Sequence, residues 1–130
     1  MRRPVLNENS LMGVRILIVE DEPLIAMCLS ELVKDEGCVV VGICATVAES
    51  LALIANTTFD VVVLDLNLHG EPVTSIASAV LQAGKAIVFA TGSSASDVPA
   101  DLQAWPALTK PYSDQAVLSA LSTALRLPAD

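Results

Sequence analysis

Four short apolar runs in this chain each close on charged or hydroxyl residues, and that arrangement restricts the fold more than any other feature. Val14–Val19 runs into Glu20 and Asp21, Val61–Leu64 into Asp65, Ala86–Ala90 into Thr91, and Leu108-Thr109 into Lys110. Short β-branched runs without polar alternation read as strands buried on both faces of a parallel sheet. In an open α/β sheet the carboxyl ends of the strands form the ligand-binding edge. Three acids, a hydroxyl and a lysine at that edge suit a divalent metal and a phosphoryl group.

Between these runs the pattern turns helical. Pro23 suits a first helical turn, where its missing N–H is no loss. The pairs Leu24/Ile25, Cys28/Leu29 and Leu32/Val33 then recur at helical period until Gly37 stops them. Cys38–Cys44 reads as a second strand. Thr46 and Glu49 have the spacing of a capping box and open a second helix through about Ala55. A third helix is expected from Val73 to Ala83, ended by Gly84. The stretch after the fourth strand holds Ser93, Ser94, Ser96 and Pro99, so the fourth helix is expected to be short or mobile. Ala107–Thr109 is a short fifth strand, and Ser113 caps a last helix carrying Ala116, Val117, Ala120, Leu121, Ala124 and Leu125. Five strands and five helices in alternation predict an α/β fold: a doubly wound, five-stranded parallel sheet with helices on both faces and right-handed crossovers. Residues 1–12 read as a flexible N-terminal tail and 13–127 as one domain with no output domain.

Composition narrows the function. A chain of 130 residues can bury a core without disulfides or metal, and 53% hydrophobic content argues against disorder. The net charge of −8, with the basic residues scattered, argues against a nucleic-acid surface and against docking on an anionic membrane. No apolar run approaches the length of a membrane span. Cys28, Cys38 and Cys44 fit neither a zinc site nor a redox CxxC, and read as reduced, buried thiols of a cytoplasmic protein.

The site's chemistry follows from where the strands end. Glu20 and Asp21 end the first strand and Asp65 the third, the two strands that flank the switch point of a doubly wound sheet. Carboxylates converging there repel one another unless a cation sits among them. Mg²⁺ is the usual hard ion for such oxygens, and the backbone carbonyl of Asn67 adds a further one. Asp65 lies between these acids and the Thr91/Lys110 side. A carboxylate there can attack phosphorus and form an aspartyl-phosphate, with the metal, Lys110 and Thr91 holding the phosphoryl oxygens. Gly92 is read as leaving that space open. Taken singly, each residue has a plainer reading: Glu20-Asp21 as a helix-start acidic pair, Asp65 as a strand-end cap, Lys110-Pro111 as loop. Their joint placement on successive strands is what favours a site.

In combination, the segments Ile16–Pro23, Val62–Leu68, Ala90-Thr91-Gly92 and Thr109–Tyr112 resemble the receiver domain of two-component response regulators, from about Gly13 to Leu125. The resemblance implies a (βα)5 flavodoxin-like receiver with strand order 2-1-3-4-5. It implies Asp65 as phosphoacceptor and Mg²⁺ held by Glu20, Asp21, Asp65 and Asn67. Thr91 would be the switch hydroxyl and Lys110 the phosphate-pairing cation, with a cis Lys110–Pro111 bond. A sensor histidine kinase would donate the phosphoryl group, and a downstream protein or phosphotransfer partner would receive the signal. Self-phosphorylation and autodephosphorylation would be the only catalysis. Phe89–Gly92 with Leu66–Glu71 further resembles the FATGUY receivers, which are often stand-alone and paired with HWE-type kinases. Two positions depart from these patterns: Ala107 stands where many receivers carry an aromatic switch residue, and Ser93-Ser94 where an aromatic usually follows the glycine.

Other functions fit less well. A degenerate receiver that binds a partner without phosphorylation is opposed by the intact Glu20, Asp21, Asp65, Thr91 and Lys110. An aspartyl-phosphate phosphatase would need a second acid where Asn67 stands, and room for a cap domain. A flavodoxin-like carrier would set its phosphate against Glu20-Asp21-Glu22. His69 is expected to be a solvent-facing loop residue, Trp105 to shield an edge strand, and Tyr112 to pack on the last helix.

Overall fold

In the computed structural model, which describes residues 11–127, the apolar runs form five strands: β1 (Arg15–Val19), β2 (Val39–Cys44), β3 (Val61–Asp65), β4 (Ala86–Thr91) and β5 (Ala107–Thr109). All neighbouring pairs are parallel, in the order 2-1-3-4-5. The α-helices are α1 (Pro23–Asp35), α2 (Val47–Asn56), α3 (Thr74–Gln82) and α4 (Asp114–Arg126). β1 and β3 are neighbours although β2 lies between them in sequence, so the strand order reverses beside β1 and leaves a crevice at the carboxyl ends of both.

Successive strand residues point to opposite faces, and here both faces are covered. On one face Ile16, Ile18, Val63 and Val88 pack with Leu29 and Val33 of α1 and with Val117 and Leu121 of α4. On the other, Leu17, Val62, Leu64, Ile87 and Phe89 pack with Phe59 and with Ile76 and Val80 of α3. Each of these side chains contributes roughly 1.5–3 kcal/mol by leaving water. Gly42 permits the approach of α2, since a Cβ there would collide with Leu53. The β1–β2 register shifts between Ile16 and Leu17, leaving Val41 as a bulged residue on the edge strand.

The helix starts follow the sequence. Pro23 opens α1. Thr46 Oγ1 accepts from the Glu49 N–H at 3.1 Å, and Ser113 Oγ accepts from the Ala116 N–H at 3.1 Å. The Glu49 carboxylate reaches one residue further than a capping box predicts, accepting from the Ala45 N–H at 2.9 Å.

Three expectations need correction. The fourth expected helix, between β4 and β5, is absent among the described residues; two 3-10 turns, Ala95–Asp97 and Ala100–Leu102, take its place. Ser94 and Asp97 close a capping box around the first turn, and Pro99 lacks the N–H that would extend it. The expected tail 1–12 falls mostly outside the described residues, but Leu11 is buried, with its carbonyl accepting from the Cys38 thiol at 3.4 Å and the Val14 N–H at 3.1 Å. Cys38 and Cys44 are buried as expected, whereas Cys28 is exposed on α1.

Candidate functional site

The ends of four strands deliver the site. The Glu20 N–H donates to the Cys44 carbonyl at 2.9 Å, carrying the ladder one residue past β1. The Lys110 N–H donates to the Thr91 carbonyl at 2.8 Å, doing the same past β5. Side chains at these positions therefore inherit the rigidity of the sheet. Lys110 Nζ donates to Glu20 Oε1 at 2.9 Å and to Asp65 Oδ2 at 3.2 Å. The other oxygens are also held: Glu20 Oε2 accepts from the Glu22 N–H at 3.1 Å, and Asp65 Oδ1 from the Asn67 N–H at 2.9 Å. Glu20 and Asp65 are buried and Asp21 is half-buried, and carboxylate oxygens of all three lie within 4.8 Å of one another. The Lys110–Pro111 peptide is cis, as the resemblance implied.

Glu20 and Asp65 thus share one ammonium, with the Asp21 carboxylate close by. Burial pushes Glu20 up to about 7, against the pull of Lys110 and the Glu22 N–H. Burial alone would lower Lys110, but its hydrogen bond to Glu20 and the charge of Asp65 outweigh that and raise it, so Lys110 stays charged at neutral pH. The cluster is short of positive charge, and its donors are hard carboxylate oxygens. That set fits a hard divalent cation better than a soft one.

Thr91 is buried at the end of β4, and its Oγ1 accepts from the Ser93 N–H at 3.2 Å. A Cβ on Gly92 would meet no atom within 4 Å, so the space beside Thr91 is open irrespective of the glycine. Asn67 is exposed, tied to the site through its backbone N–H. Ala107 is half-buried, while Trp105 packs against both core clusters. Tyr112 packs with the α1/α4 cluster, and its buried hydroxyl has no hydrogen-bond partner among the described residues. His69 is an exposed loop residue, as expected, but the sequence reading missed its contact with the site: its N–H donates to Asp21 Oδ2 at 2.9 Å. The one available signal was the His69-Gly70 pair, a turn-forming dipeptide between Leu68 and Glu71.

A 2-1-3-4-5 parallel sheet with an acidic cluster, a hydroxyl and a lysine at its switch-point edge defines a receiver-type α/β domain. The response regulator receiver domain family matches residues 16–122, and the chain belongs to it, a module of two-component signalling. Among solved structures, SdrG from Sphingomonas melonis Fr1 is 39% identical with a TM-score of 0.79, covering 87% of this chain and 97% of that one. The response regulator PhyR from Brucella abortus is 31% identical with a TM-score of 0.78, covering 91% of this chain and 50% of that one. Both are consistent with the FATGUY resemblance. The transcriptional regulatory protein PdtaR of Mycobacterium tuberculosis is 30% identical over 129 residues, 96% of this chain; the chain spans 63% of PdtaR's length. PhyR and PdtaR are regulators by name. No helix among the described residues is long and apolar enough to cross a membrane.

Proposed function

We propose that this receiver accepts a phosphoryl group on Asp65 from a sensor histidine kinase in a Mg²⁺-dependent reaction, and signals by conformational change to a protein partner or passes the phosphate on. The observation that carries this reading is the position of Asp65: buried at the end of β3, inside the acidic cluster, with Lys110 Nζ 3.2 Å from its Oδ2. An Asp65 oxygen attacks phosphorus and forms the new P–O bond. The P–N bond to the kinase histidine breaks, and its electron pair stays on the imidazole nitrogen. Lys110 already stands beside the attacking carboxylate, where the charge of the phosphoryl oxygens develops. Glu20, Asp21, Asp65 and the Asn67 carbonyl would hold Mg²⁺, which when bound supplies further neutralisation of that charge.

Thr91 Oγ1 accepts from Ser93 and can turn its own proton toward a phosphoryl oxygen. Doing so would pull on Ser93 and the turns behind it. With Ala107 small, no aromatic in β5 follows Thr91, so the response falls on residues 92–106. Such a modification shifts a population between two arrangements. The FATGUY resemblance supports an HWE-type kinase as the donor. The setting is the cytoplasm. Transfer of labelled phosphate from an autophosphorylated HWE-type kinase tests this reading. Label is expected on the wild type with Mg²⁺, and none with chelator or on Asp65→Asn. Label on Asp65→Asn would contradict it.

A further inference from the structure

The connection from β3 to α3 turns back within four residues. The Glu71 N–H donates to the Leu68 carbonyl at 2.9 Å, and the two residues form an isolated antiparallel bridge. Between them His69 and Gly70 take φ of 53° and 76°. Positive φ at both central positions is the type I′ pattern, and histidine is among the few side chains enriched in that region. The Leu68 side chain is fully buried and pins the turn to the core.

What the turn presents is His69. Its N–H donates to Asp21 Oδ2 at 2.9 Å, and its Nδ1 lies 3.3 Å from the same oxygen. The His69 side chain is 64% exposed and that of Asp21 only 13%. Core packing therefore does not account for the ring's position; the carboxylate does. The link joins the β1–α1 loop, which carries Asp21, to the β3–α3 loop, which carries Asn67, at the rim of the acidic cluster.

We propose that His69 is a positioning residue for the cation site. Beside the backbone hydrogen bond, the ring sets Nδ1 within ion-pair distance of the same oxygen, a polar contact and not a formed hydrogen bond. Together they commit one Asp21 oxygen to the turn and leave the other for a cation shared with Glu20 and Asp65. This inference rests on reading those three acids as the metal site. It does not require phosphorylation. Groups that orient a metal ligand raise affinity because the ligand need not be ordered on binding.

The test is calorimetric titration of Mg²⁺ without any phosphodonor, beside thermal melts of the metal-free protein. The variants are His69→Gly, His69→Asn and Asp21→Asn. Glycine suits the turn and keeps the N–H but lacks the ring; asparagine suits the turn and restores a polar side chain. His69→Gly is expected to bind Mg²⁺ about three- to tenfold more weakly than the wild type, with a melting temperature no lower. His69→Asn is expected to recover affinity to within about twofold. In the metal-free protein, the His69 amide NMR resonance should move upfield in Asp21→Asn. Wild-type affinity in His69→Gly, with binding lost in Asp21→Asn, overturns the role of His69 alone. Equal weakness in the Asn and Gly variants does the same. Absence of Mg²⁺ binding by the wild type overturns the metal reading and this inference with it.

Discussion

The two sides of the site rim are held in different ways. On the β1/β3 side each acid is tied down: Glu20 by Lys110 and the Glu22 N–H, Asp21 by His69, Asp65 by Lys110 and the Asn67 N–H. On the β4/β5 side residues 92–97 are all exposed. That stretch is fixed by the Ser93–Thr91 bond and the Ser94–Asp97 capping box, and beyond it only Val98 is buried before β5. A reacting group gains from a fixed position, whereas a segment that must change shape is drawn from the less stable parts of a fold. Under the proposed function, chemistry falls to the acids and the Lys110 that holds two of them, and response to residues 92–106.

Removing the shared cation should have the largest effect. Lys110→Met is expected to slow formation of the phosphoryl adduct on the order of 10²–10³-fold at fixed Mg²⁺ and donor, the loss typical of one preorganised donor. A wild-type rate in a mass-spectrometric time course would dissolve the assignment of chemistry to the acids and the lysine that holds two of them.

A pH series sharpens the same side. Folded, Glu20 binds its proton up to about 7 instead of 4.5, because it is buried. Between those values the folded protein holds a proton that the unfolded chain has released. Stability of the metal-free protein is therefore expected to fall as pH rises through that window, on the order of 2 kcal/mol from this group. Urea melts in chelator, with Glu20→Gln as the reference, measure it. An equal pH slope in Glu20→Gln would show that Glu20 is not the strained acid.

Truncating one buried valine on each side compares them directly. Val63→Ala in β3 leaves a cavity that its sheet neighbours cannot close and should cost about 2–3 kcal/mol. Val98→Ala should cost about 1 kcal/mol, since the loosely held segment can settle into the space. Equal losses in denaturant melts would mean that residues 92–106 are as firmly built as the sheet.

Much of this was legible in the sequence because the decisive positions follow chain-local rules. An apolar run buried on both faces marks a strand, and the residue that ends it must lie at the sheet edge, so the sequence alone places Glu20, Asp65, Thr91 and Lys110 there. β5 begins and ends at the expected residues, and β3 begins at Val61 and closes on Asp65, where the apolar run stops. What escaped depends on contacts between distant segments. The bond from His69 to Asp21 spans 48 positions and needs a backbone conformation that single-residue propensity disfavours. Leu11 is buried because Val14 and Cys38 meet its carbonyl, which no local pattern announces. The 3-10 turns between β4 and β5 were half legible: Ser94 and Pro99 argued against a full helix, but helical periodicity has no counterpart for so short a turn. The exposure of Cys28 was lost because it alternates with Leu29 on a helix whose partner faces were not yet known.

The central claim is that Asp65 is the nucleophile of this site, and intact mass tests it most directly. Wild type and Asp65→Asn are each incubated with a small-molecule phosphodonor, with and without Mg²⁺. One labile phosphoryl adduct is predicted on the wild type with Mg²⁺, and none in the other three samples. An adduct on Asp65→Asn, or no adduct on a wild type that demonstrably binds Mg²⁺, would contradict the assignment and leave a receiver that works by binding alone.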